Sequence, residues 1–159
     1  MRIISGKFKG KKIILPKDQL TRPLRDMVKE SIFNILKHSS LLKNSIEKAN
    51  ILDLFSGTGS FGLECLSREA NNVYFVEKEI EAAKILKKNI SKLKLTNKTK
   101  IFFSDVFNLI KKENIFNKKF NIIFCDPPFK NSKIEQLIEL ILQKKLLKKN
   151  GIIILHRNK

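Results

Sequence analysis

From residue 50 onward, short apolar runs alternate with stretches of helical periodicity. No other feature of this 159-residue chain constrains its fold as strongly. Runs at 51–55, 73–76, 100–103, 120–125 and 151–155 have strand length and are largely apolar. A strand covered on one face alternates polar and apolar residues, whereas a run that is apolar throughout is covered on both. Helical spacing fills the gaps at 60–68, at 79–93 (Ala82, Ala83, Leu86, Ile90 and Leu93 inward) and near 106–110. A last helix opens on a capping box of Ser132 and Glu135, with Ile134, Leu137, Ile138 and Ile141 inward. This alternation predicts an α/β fold with a mainly parallel, doubly wound, Rossmann-like sheet.

The first fifty residues read differently. Short β-branched runs around Gly6 and Gly10 predict a hairpin arm over 1–20. A helical segment over 21–49 follows, with Thr21 as its cap and Pro23 in its first turn. Leu24, Val28, Ile32, Ile35 and Leu36 are expected to face the core, and Arg22, Arg25 and Lys29 to share another face. No repeat or linker divides the chain, so 1–159 reads as one domain whose core is 50–159.

Charge suggests the partner. Lys plus Arg number 33 against 15 Asp plus Glu, a formal net charge of +18. An apolar fraction of 42% excludes a disordered polycation. Lys, Ile, Asn and Phe are all heavily used, as a coding bias toward A and T would produce, so position carries more meaning than the total. Residues 1–25 hold a net +7, whereas lysine pairs such as Lys87-Lys88 and Lys148-Lys149 read as solvated surface. No run approaches the ~20 residues of a membrane span, and residues 1–7 do not read as a secretory signal. The expectation is a soluble, cytoplasmic protein that meets a polyanion. Cys65 and Cys125 read as reduced core thiols, and neither His38 nor His156 has a ligand set at metal spacing.

The first strand runs into Asp53-Leu54-Phe55-Ser56-Gly57-Thr58-Gly59-Ser60-Phe61-Gly62, which satisfies G-x-G-x-x-G. Glu77 ends the next strand, twenty residues after Gly57, the spacing of a carboxylate that accepts bonds from ribose hydroxyls. The glycines alone suit a dinucleotide as well as S-adenosylmethionine. Asp53, four residues before the first glycine, favours the latter: it would repel a diphosphate and attract an ammonium and a sulfonium. Asp105, after the third strand, is placed to accept the adenine amino group.

The fourth strand delivers Asp126-Pro127-Pro128-Phe129. Two prolines stiffen the loop and remove two donors, leaving nearby carbonyls and Asp126 as acceptors. Phe129 adds a flat face. Such a group suits an exocyclic amine on a planar base. Accepting both N–H bonds favours a pyramidal nitrogen with its lone pair free, and stacking holds the base in line.

Asp126-Pro127-Pro128-Phe129 resembles the (N/D)-P-P-(Y/F/W) motif of methyltransferases acting on adenine N6, guanine N2 or glutamine N5. Arg2-Ile3-Ile4-Ser5-Gly6, Lys9-Gly10-Lys11-Lys12, Thr21-Arg22-Pro23 and the stretch 26–34 are similar to the bacterial small-subunit rRNA guanine-N2 methyltransferases, which act on guanine 966 of 16S rRNA. The resemblance implies S-adenosylmethionine held by Asp53, Gly57, Gly59, Glu77 and Asp105, with Phe55, Thr58, Lys78 and Val106 beside them. It implies a flipped guanine at Asp126, Pro127, Pro128 and Phe129. It implies rRNA, or an assembling small subunit, gripped by Arg2, Lys7, Lys9, Lys11, Lys12, Arg22, Arg25 and Lys29. No metal takes part, and the protein is expected to be a monomer. The family fold continues through a helix and two more strands, which this sequence lacks, so its fifth strand is expected at an exposed edge. The alternatives are an adenine-N6 methyltransferase of DNA or RNA, and an inactive rRNA-binding assembly protein.

Overall fold

A computed structural model of the chain describes residues 1–16, 24, 26–38, 46–128 and 131–157. Its elements are α1 (Asp26–His38), β1 (Asn50–Leu54), α2 (Ser60–Ser67), β2 (Asn72–Glu77), α3 (Ile80–Lys92), β3 (Thr99–Phe103), α4 (Val106–Lys111), β4 (Phe120–Cys125), α5 (Asn131–Gln143) and β5 (Leu147–Leu155). The five strands form one parallel sheet in the order β3-β2-β1-β4-β5. The expected doubly wound sheet is therefore present. The order reverses between β1 and β4, and the crevice at such a reversal is where ligands bind in open α/β sheets.

Side chains alternate between two cores. Ile51, Val73, Phe75, Ile122 and Phe124 face a layer containing Phe61, Leu63, Leu86 and Ile90 of α2 and α3. Leu52, Leu54, Val76, Ile123 and Cys125 face Val106, Leu109, Leu137 and Ile141 of α4 and α5. Both cysteines are buried free thiols, and burial pushes their pKa values up. β5 starts four residues earlier than expected. Its pairing with β4 shifts register between Phe120 and Ile122, and the exposed Lys148, Lys149 and Asn150 have no strand-like pattern. β5 is an outer strand of the described sheet.

Residues 1–16 form a short arm: Arg2 bridges Lys12 antiparallel, with Ile3 and Lys11, Gly10 and Ile3, and Ile13 and Met1 joined by backbone bonds. Two apolar residues, Ile3 and Ile13, are buried, and the arm is fastened to α2. The Glu64 carboxylate accepts from the Ile4 and Ser5 amides at 2.8 and 3.0 Å, and Ser67 accepts from Lys7 and Phe8. Gly6 permits this approach. It has φ +79°, and a Cβ there would stand 1.9 Å from the Ser67 carbonyl oxygen.

α1 corrects two expectations. Lys29 is not a surface cation, because its side chain is fully buried. Its ammonium donates to the Arg2 carbonyl at 2.7 Å and lies 3.9 Å from Glu64 and 3.4 Å from Asp26. Burial lowers its pKa, against the two carboxylates that raise it. The helix is turned so that Lys29, Phe33 and Leu36 face inward, and Ile35 is 62% exposed instead of buried. Phe33 stacks on Phe61, which stacks on Phe124, and the Arg68 guanidinium lies 4.2 Å above Phe33. Thr21, Arg22, Pro23 and Arg25 lie outside the described residues, as does the Ser132 side chain.

Removing one partner of a buried pair strands the other. Lys29→Ala is therefore expected to lower unfolding stability by about 3 kcal/mol, seen as a fall in the urea midpoint. RNA affinity of the folded variant should be unchanged.

Candidate active site

The pairing of β1 with β4 builds the site. Leu54 sits opposite Cys125, so the next residues, Phe55 and Asp126, leave the sheet side by side. They border a cleft of about 430 Å³, open solvent included. Asp53, Gly57 and Thr58 line it with them, and Pro16 at the end of the arm and Leu24 close one side. Five of the residues expected at the site from sequence, Asp53, Phe55, Gly57, Thr58 and Asp126, thus share one cleft.

Backbone geometry shapes the floor. Phe55 has φ +58°, an outlier for a bulky residue and a mark of strain held at a site. Ser56 fastens the loop to β2 through the Val76 carbonyl, and Gly59 donates to Ser56. Gly57 (φ +54°) has open space where a Cβ would be, so the backbone faces the cleft directly. Gly62 instead serves packing: a Cβ there would meet the Phe75 ring at 2.3 Å.

Asp53 is 1% exposed, on the sheet face that carries Phe75 and Phe124. Burial raises its pKa to about 8. The Gly62 N–H, donating at 3.0 Å, works against this, and the nearby Asp126 and Glu77 charges add to it. A buried acid with a raised pKa that lines a cleft marks a candidate site for a cation. Glu77 is buried and held by three amides: Gly57 at 2.6 Å, and Lys78 and Glu79 at 2.8 Å each. A carboxylate offers about four acceptor positions, so with three taken one ribose hydroxyl can still be accepted there. This donor and acceptor set fits a cationic nucleoside such as S-adenosylmethionine.

The other expected residues lie around this centre. Asp105 caps α4, accepting from the Asn108 amide at 3.1 Å. The Val106 side chain is in the core between sheet, α4 and α5, which leaves its backbone to meet a ligand. Lys78 is exposed and pairs with Glu79. Pro127 and Pro128 follow Asp126, and Phe129 lies outside the described residues. Arg2, Lys7, Lys9, Lys11 and Lys12 are all exposed on the arm. Among the described residues, no group of His, Cys, Asp or Glu could hold a metal, and no helix is long and apolar enough to cross a membrane.

Two side chains at the site were missed from sequence. Asn89 of α3 is buried and ties the arm to the glycine loop. It accepts from the Ile14 amide at 2.8 Å and donates to the carbonyls of Ile14 and Thr58 at 3.1 Å. An asparagine inside a helix gives no local signal of such a role. His156 Nδ1 lies 2.8 Å from Asp126 Oδ1.

A family model described as conserved hypothetical protein 95 matches residues 1–159. The ribosomal RNA small subunit methyltransferase D of Buchnera aphidicola subsp. Baizongia pistaciae is 35% identical over 153 residues, covering 96% of this chain and 74% of the relative. The Haemophilus influenzae protein of the same name is 34% identical over 159 residues, covering 100% and 79%. Among solved structures, a methyltransferase of Escherichia coli superposes with a TM-score of 0.79 at 30% identity, covering 93% of this chain and 75% of that one.

Proposed function

This chain belongs to the family described as conserved hypothetical protein 95, and from that membership and the cleft we propose that it methylates small-subunit rRNA with S-adenosylmethionine, at the exocyclic N2 of a guanine. The observation that carries the reading is the juxtaposition, at neighbouring strand ends, of the buried acid Asp53 with the acceptor Asp126. One holds a positively charged donor and the other an amine.

When bound, the cofactor supplies a methyl group on a sulfonium. The remaining work belongs to the protein. Asp53 is placed to balance the cofactor's positive charge, Glu77 to orient its ribose, and the open backbone at Gly57 to let it approach. Asp126 and the Pro127 carbonyl accept the N–H bonds of the target amine and stabilise the charge that grows on its nitrogen. Phe129 is assigned the stacking role from sequence. On the arm, Arg2, Lys7, Lys9, Lys11 and Lys12 hold phosphates, each contact adding roughly −0.7 to the salt slope for single strands. Lys29 drops out of this set. The protein acts in the cytoplasm, where its rRNA is.

Mass spectrometry of rRNA nucleosides from cells lacking the gene tests the reading. N2-methylguanosine is expected to be lost at one position of the small-subunit rRNA. An unchanged nucleoside profile would count against it.

A further inference from the structure

Resting on the reading above, we propose that His156 is a positioning residue that holds Asp126 in the orientation needed to accept the target amine. The sheet brings the two together. Cys125 of β4 pairs with Leu155 of β5, and the His156 amide continues the ladder by donating to the Cys125 carbonyl at 2.9 Å. The next residue on β4's side is Asp126, and its Oδ1 lies 2.8 Å from His156 Nδ1. Both side chains are partly open, at 28% for Asp126 and 20% for His156.

An ionised carboxylate only accepts, so the proton between the two sits on Nδ1 and the bond is charge-assisted or close to it. Asp126 needs such an anchor. The two residues after it are prolines, which offer no N–H to hold a carboxylate in the way the Lys78 and Glu79 amides hold Glu77. The nearest acid facing it from β1 is the buried Asp53. Among the described residues, His156 supplies the hydrogen bond that holds the Asp126 side chain in place. Because it engages Oδ1, Oδ2 is left for the substrate.

The His156 side chain is not needed to clip β5 to β4, since that contact is made by its backbone and survives any substitution other than proline. A positioning role and a purely structural role therefore separate in kinetics. His156→Ala is expected to lower kcat by about 10- to 100-fold, while cofactor affinity and the KM for RNA stay within about twofold. In His156→Asn the side-chain amide nitrogen stands near where Nδ1 does, and kcat should recover to within about threefold of the parent. The inference is overturned if His156→Ala keeps the parent's kcat, if it loses cofactor affinity and thermal stability along with rate, or if His156→Asn is as slow as His156→Ala. Asp126→Ala in the same assay separates the two readings. If it is inactive while His156→Ala is normal, the role of His156 falls and the proposed function stands. If Asp126→Ala itself is fully active, both fall.

Discussion

Asp126→Ala is expected to lower kcat for rRNA methylation by about 10²–10³-fold, the loss that follows removal of one preorganised group at a developing charge. The lone pair of a guanine exocyclic amine is delocalised into the ring and attacks poorly. Accepting an N–H at Asp126 Oδ2 draws the nitrogen toward a pyramidal shape and places negative charge beside the positive charge forming there. Asp126→Asn keeps an oxygen acceptor and loses the charge, so its loss should be smaller, about tenfold. Cofactor affinity is expected to hold, because Asp126 disfavours ionisation of Asp53 and its removal relieves that repulsion. Single-turnover rates with saturating cofactor, set beside equilibrium cofactor binding, check both halves of this expectation.

Asp53→Asn is expected to act in two opposite directions. The folded protein raises this carboxyl from 3.8 to about 8. Below the lower value both folded and unfolded forms are protonated, and no penalty exists. As pH rises from about 4 to about 8 the unfolded chain ionises while the folded one keeps its proton, so stability falls across that window and stays low above it. Asparagine accepts the Gly62 N–H equally well and carries no such penalty. The free variant should therefore be more stable than the parent at pH 8, by about 2 kcal/mol, read as a Tm higher by roughly 5 °C. The same change removes the buried partner of a cation and should weaken S-adenosylmethionine binding by about 100-fold or more. The parent's affinity should climb between pH 6 and pH 8 as Asp53 gives up its proton, whereas that of Asp53→Asn should stay flat. A variant that melts higher yet binds poorly is the signature of an acid kept for function at the expense of stability.

How much of this was readable from sequence depended on whether the signal was local. Strands β1 to β4 fall within a residue of expectation because each is a largely apolar run bounded by turns. The glycine loop and Asp126 were readable for the same reason: strand, turn and following residues lie together in the chain. Pairings across the chain were not. Lys29 resembled a surface cation because its partner Glu64 is 35 residues away and its hydrogen-bond acceptor is the backbone of Arg2. The inward face of α1 is thus Lys29, Phe33 and Leu36, and Ile35 lies outside it. His156 looked unremarkable because its partner Asp126 is 30 residues distant and reached only through the β4–β5 register. Asn89 was hidden likewise, since its three bonds join the arm to the cofactor loop across the molecule. The early start of β5 was hidden by Lys148, Lys149 and Asn150, which follow the partner strand through an irregular register and bury nothing.

The most direct test incubates the purified chain with methyl-labelled S-adenosylmethionine and small-subunit rRNA, free and as particles, then digests the RNA to nucleosides. Label recovered as N2-methylguanosine, and absent with Asp126→Ala, is the predicted result. Label in N6-methyladenosine, or none despite cofactor binding, would contradict the account.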